Sequence, residues 1–263
     1  MVALWLPLQV RAESDLVLAI SEGSSGGLDH ARVIAKYQGF GNLVGKAINR
    51  KVVVVFIREF AKLEEGMQNV RFDFVMARPS DYPARGIRDY GYRYVANAKP
   101  DGQCYIIVPK NSALKSLQEA KGKRWAQPNP AAYMSKFCRA ELLDQGIKLD
   151  EEKVTHVREQ DAVGFYLENG LADVGTVASY SGLGKGWEGK GNHVLHKSIA
   201  QPYFPLIASK NISVKQVEAI QAQLLKLADS EEGAAALKSV GVKSFVTSDA
   251  SKLAALLVWL DRK

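Results

Sequence analysis

Strand-like and helix-like runs take turns along this chain, and that alternation constrains its fold more than any other feature. Leu16–Ile20 reads as a buried strand. Residues 28–49 read as a helix broken by Gly39, Gly41 and Gly45, and Val52–Ile57 as a second strand. A helix face of Phe60, Leu63 and Met67 leads into a third strand over residues 72–76. Strands separated by helical stretches pair in parallel, with helices covering the sheet faces.

The cadence then starts again. Tyr105–Val108 reads as a strand, 114–119 as a short helix and 123–126 as a strand. A helix over 131–145 carries an apolar face of Met134, Phe137, Cys138 and Leu142. A strand at 153–157, a helix at 162–168 and a strand at 172–177 follow. The segments around Gly66 and Asp73 and around Gly170 and Asp173 share one order: helix, glycine, Asp-bearing strand, polar loop. This echo implies two lobes built alike. Beyond them come a glycine-rich loop (182–192) holding Trp187 and strands at 194–196 and 202–208. Ser213 and Gln216 form a capping box for a helix with Val217, Ile220, Leu224 and Leu227 on one face. A last helix from Asp249 buries Leu253, Leu256, Leu257 and Leu260.

With 263 residues, 47% of them hydrophobic, the chain can bury a core of ordinary size. The formal charge of +7 is spread out: no Lys/Arg run exceeds two residues, and no basic, aromatic-studded face emerges. That speaks against nucleic-acid binding and leaves a weak pull on anions. Val2–Val10 is a short apolar run followed by Arg11-Ala12, similar to the core and cleavage region of a secretory signal, although no Lys or Arg precedes it. Residues 1–12 are therefore expected to direct the chain to the periplasm. The run is too short to span a bilayer, and no later stretch is long and apolar enough. His30, His156, His193 and His196 make no metal-ligand spacing. Ser24-Ser25-Gly26-Gly27 lacks the Lys-Ser/Thr of a phosphate-binding loop. No cofactor is implied and no catalytic signature emerges, so the chain is expected not to be an enzyme.

In open α/β sheets, ligands bind beyond the carboxyl ends of the strands. Those ends lead into residues 21–27, 78–82, 127–133 and 179–180. Two of these loops feed helix N-termini, which favour anions. The order of elements, the segment 72–82, the run 105–124 and the segment 169–174 resemble the phosphonate/phosphite-binding branch of the periplasmic binding proteins. The resemblance covers nearly the whole chain after residue 15. It implies a two-lobed class II periplasmic-binding fold, each lobe a mostly parallel sheet flanked by helices around a ligand cleft. Lobe 1 would comprise residues 16–100 and 200–263, and lobe 2 residues 101–199.

Two departures bear on the ligand. Ala131 and Ala132 stand where phosphonate-binding relatives carry Ser/Thr hydroxyls. A dianionic phosphonyl group would lose several charge-assisted hydrogen bonds there, each worth about 1.5–3 kcal/mol. Cys104 stands where relatives have a small polar residue. An even cysteine count in a secreted chain suggests a disulfide with Cys138, yet Cys138 also reads as a packing residue. The combination resembles the periplasmic arsenite-binding sensors, which pass a signal to a membrane histidine kinase. That resemblance implies Cys104 as the direct ligand of trivalent arsenic, a soft centre suited to thiolate. Ser24, Ser25, Arg78, Tyr82, Tyr133 and Tyr180 would be its hydrogen-bonding neighbours. The alternative is the receptor of an ABC importer, docking on a permease with a phosphonate, phosphite or other small oxyanion.

Overall fold

The computed structural model describes residues 14–23, 29–78 and 80–262; the segment 1–12, Ser24 and Ser25 lie outside them. The chain forms two sheets. In the first, β1 (Leu16–Ser21), β2 (Val52–Phe56) and β3 (Phe74–Ala77) run parallel in the order β2-β1-β3. Antiparallel β10 (Pro205–Ala208) follows, then β4 (Arg93–Lys99) and β11 (Ser244–Val246). In the second, β7 (Lys153–Val157), β6 (Arg124–Pro128) and β8 (Val174–Ala178) run parallel. Antiparallel β5 (Cys104–Val108) and then β9 (His193–Lys197) complete it. The sheets define two lobes. The chain crosses between them twice, and the crossings pair through a bridge between Gly102 and Gln201.

The echoing Asp residues perform the same task in each lobe. The Asp73 carboxylate accepts the backbone N–H of Val17 at 2.8 Å, and Asp173 accepts that of Arg124 at 3.0 Å. Each ties the start of one parallel strand to its neighbour, where the ladder has no further backbone acceptor to offer.

Helix α1 (His30–Ala47) is continuous, capped by the Asp29 side chain on Arg32 N–H. Of the three glycines expected to break it, Gly39 meets open space, and Gly41 and Gly45 serve packing. A Cβ on Gly41 would stand 2.8 Å from Val54 Cγ2, and one on Gly45 only 2.3 Å from the Arg50 carbonyl oxygen. They let the helix lie close on β2. The remaining helices are α2 (Phe60–Gln68), α3 (Asp81–Asp89), α4 (Tyr133–Asp144), α5 (Gln160–Glu168), α6 (Gly182–Gly186), α7 (Val214–Leu225), α8 (Glu231–Val240) and α9 (Ala250–Leu260). The helix expected at 114–119 is reduced to a single 3₁₀ turn at Gln118–Ala120. The expected glycine-rich loop instead begins with α6, and Trp187 behind it is fully buried, its indole N–H shared between the carbonyls of Val108 and His193.

α9 packs on α3 of the first lobe and α4 of the second. Its Trp259 ring meets Phe137 at 5.1 Å and donates to Asp144 Oδ2 at 2.7 Å. Among the described residues, no helix is long and apolar enough to cross a membrane.

Candidate functional site: a charged cleft between two sheets

The carboxyl ends of β1, β3, β6 and β8 converge where the lobes meet, and antiparallel β10 starts at the same place. Arg78, just past β3, is the centre of this convergence. It is 8% exposed. Its guanidinium lies 5.5 Å from the Tyr180 ring of the second lobe and 5.1 Å from the Phe204 ring of the first. Tyr180 stacks on Tyr203 at 4.2 Å, and Tyr37 meets Phe204 edge-on. A side chain at Gly102 would strike both Tyr180 and Tyr203, so the bare hinge backbone is what allows that stack.

Glu22, just past β1, sets the electrostatics. Its Oε1 accepts from Tyr37 OH at 2.6 Å and Lys36 Nζ at 2.5 Å and stands 3.8 Å from Arg78 Nη1. Burial pushes the carboxyl up, but Arg78, Lys36 and Tyr37 together outweigh it and hold it below the usual carboxylate range. Lys185 on α6 is held below the usual ammonium range by partial burial, with like-charge repulsion from Arg78 and Lys36 adding to it. Arg78 and Lys36 thus face one carboxylate, and Lys185 of the second lobe lies within the field of the same two cations. Low-dielectric walls concentrate such a positive field on an anion. Burial also raises the phenols of Tyr133 and Tyr180, so both remain protonated, hydrogen-bond-donating groups at neutral pH.

A second cluster bridges the lobes. Asp81, in the first turn of α3, takes Lys136 Nζ of α4 at 2.6 Å and Arg85 Nη2 at 3.2 Å on its Oδ2. Tyr133, at the start of α4, is buried and donates to the Pro202 carbonyl at 3.0 Å. Tyr82 stacks on Phe60 at 5.6 Å and lies under Lys136 and Arg85. At the rim, Arg58 and Glu159 approach to 3.7 Å across the lobes. They line a cavity of about 600 Å³ with Gly23, Asn129 and Arg158.

Arg78 and Tyr180 are therefore brought into contact, Tyr133 sits beside them at the hinge, and Tyr82 belongs to the neighbouring Asp81 cluster. Cys104 requires a correction. It is disulfide-bonded to Cys138 with Cα atoms 5.4 Å apart, and both residues are fully buried. The reason is packing: β5 lies beneath the apolar face of α4, which turns Cys138 toward the start of the strand. A disulfide sulfur is no thiolate, so this form offers no thiol for arsenic. Among the described residues, no group of three or more His, Cys, Asp or Glu could hold a metal ion. His196 instead pairs with Glu141 at 2.7 Å.

Sequence reasoning missed Glu22, Lys36, Lys185, Asp81 and Lys136. Glu22 and Asp81 were legible as the residues just beyond β1 and β3. The two lysines on α1 and α4 were not, because only the packing of those helices aims them inward.

Residues 27–253 match the family described as ABC transporter, phosphonate, periplasmic substrate-binding protein. The chain belongs to this family. Its members are solute-binding proteins, not enzymes. The fold is shared with PhnD1 from Prochlorococcus marinus in complex with methylphosphonate, at TM-score 0.74 and 12% identity over 92% of this chain and 96% of that one. A Xanthomonas citri protein bound to chloride ion matches at TM-score 0.76 and 15% identity, over 95% and 98%. The binding protein component of an ABC phosphonate transporter from Pseudomonas aeruginosa matches at 0.67 and 15%, over 94% and 95%.

Proposed function

We propose that this chain is the periplasmic receptor of an ABC importer for a small oxyanion of the phosphonate or phosphite kind, which it delivers to a membrane permease. The observation that carries this reading is Arg78, a buried guanidinium walled by aromatic rings from both lobes. A planar fork of donors suits an oxyanion, and a ligand held there would touch both lobes and couple binding to closure. Membership of a substrate-binding family supports the same reading. The finer expectation, arsenite captured by Cys104 and reported to a histidine kinase, needs a free thiol, and Cys104 is in a disulfide.

The test is a titration of the protein with phosphate, phosphite, methylphosphonate and arsenite, followed by tryptophan fluorescence, alongside Arg78→Met. At least one phosphorus oxyacid is expected to bind. Losing two charge-assisted hydrogen bonds, at about 1.5–3 kcal/mol each, should weaken it roughly a hundredfold or more in Arg78→Met. Binding of arsenite alone, dependent on reduction and lost in Cys104→Ser, would overturn the proposal in favour of the sensor.

A further inference from the structure

Asp81 is fully buried, and its two carboxylate oxygens have unequal surroundings. Oδ2 is held by Lys136 at 2.6 Å and Arg85 at 3.2 Å. Oδ1 is buried with no hydrogen-bond partner among the described groups. A carboxylate oxygen is acceptor-only, and buried polar atoms are almost always satisfied. This exception stands where the lobes meet: three residues after Arg78, just past the carboxyl end of β3, with one of the two cations on Asp81 reaching over from the opposite lobe.

We propose that Asp81 Oδ1 is the acceptor for a hydroxyl of the bound oxyacid, so that the cleft selects oxyacids that keep one proton over fully ionised ones. This rests on the oxyanion reading above and narrows its ligand class. A fully ionised phosphonyl group presents only acceptors. Brought against Oδ1, it sets lone pair against lone pair and leaves the carboxylate oxygen unsatisfied. A singly protonated group donates its O–H to Oδ1 and turns its charged oxygens toward Arg78. Lys136 and Arg85 balance the Asp81 charge, so a monoanion is not repelled outright. The titratable groups facing Asp81 are Arg85 and Tyr82 on its own helix, Lys136 and Tyr133 on α4, and Glu64 of α2 behind Arg85 at 3.9 Å. β3 and β10 contribute no ionisable side chain. On α9, Lys252 is held by Asp249.

The experiment is calorimetric titration of the full chain with phosphite and methylphosphonate from mildly acidic to mildly alkaline pH, across the second ionisation of each probe. Methanesulfonate, which carries no proton over that range, is the comparison. If only the protonated form is competent, Kd rises about tenfold per pH unit above that ionisation. Methanesulfonate then binds at least tenfold more weakly than the protonated phosphorus acids. Asp81→Asn, whose amide can donate to an ionised oxygen, should flatten the pH dependence while still binding. Should that variant fail to fold, the wild-type pH series and the sulfonate comparison still decide. Tight binding with a Kd flat across the ionisation, or equal affinity for methanesulfonate, would overturn this inference and leave the oxyanion reading standing. No binding of any phosphorus oxyacid at any pH would overturn both.

Discussion

Reducing the Cys104–Cys138 bond should destabilise the second lobe by an amount that the structure allows one to work out. The bond closes a segment of 34 residues. In the chain-entropy treatment, a loop of that length is worth about 3.8 kcal/mol at 25 °C. In that treatment the loss acts through the unfolded chain, which is no longer restrained, while both cysteines lie fully buried between β5 and α4. With a urea slope of about 3 kcal/mol per M, the midpoint should fall by roughly 1.3 M. The assay is urea unfolding of the oxidised and reduced protein, with a thiol titration of each in denaturant. The oxidised protein should show no reactive thiol, and the reduced one both of the two cysteines in the chain. α4 also carries Tyr133 and Lys136 into the cleft, so reduction should weaken ligand binding as well. Coincident unfolding midpoints for the two forms would refute the reasoning.

Other perturbations test other parts of the account. Gly45→Ala places a methyl 2.3 Å from the backbone oxygen of Arg50, which has nowhere to go; it should cost about 2 kcal/mol in urea unfolding. Gly39→Ala on the same helix meets open space and should gain up to about 1 kcal/mol. Glu22→Gln leaves Arg78 and Lys36 without their shared carboxylate and should cost about 3 kcal/mol at neutral pH. The Glu22 carboxyl is held below its unfolded value. Its contribution is therefore complete above the ordinary Glu range, about pH 4.3, and fades as pH falls through the lower folded value. Wild type and Glu22→Gln should accordingly converge in stability on acidification, a trend that urea melts at stepped pH would reveal.

The fold was legible in the sequence wherever a strand was both apolar and bounded. The β-branched run of β2, and β3 and β8 immediately behind Asp73 and Asp173, could be read directly, and the shared Asp role explains why the two halves echo one another. β4 was missed because Arg93–Lys99 mixes charged ends with a buried middle. α3 was missed because Pro83 and Gly86 sit within it. Gly41 and Gly45 of α1 misled because local propensity counts glycine as a breaker, whereas close packing on β2 and the Arg50 turn requires them.

The site was legible only in part. Arg78, Tyr133 and Tyr180 follow from the rule that strand ends carry ligands. The cysteines illustrate the limit: an even count names the possible pair, but only the seating of α4 over β5 joins them. Lys36, Lys136 and Lys185 lie on helices, where a lysine is ordinarily a solvated residue. Their convergence belongs to the tertiary structure.

The most direct test of the central claim is a crystal structure of the protein grown with methylphosphonate. The account predicts the phosphonyl oxygens on the Arg78 guanidinium, between the Tyr180 and Phe204 sides of the cleft. An anion seated instead in the rim cavity of Arg58 and Arg158, with no contact to Arg78, would contradict the account.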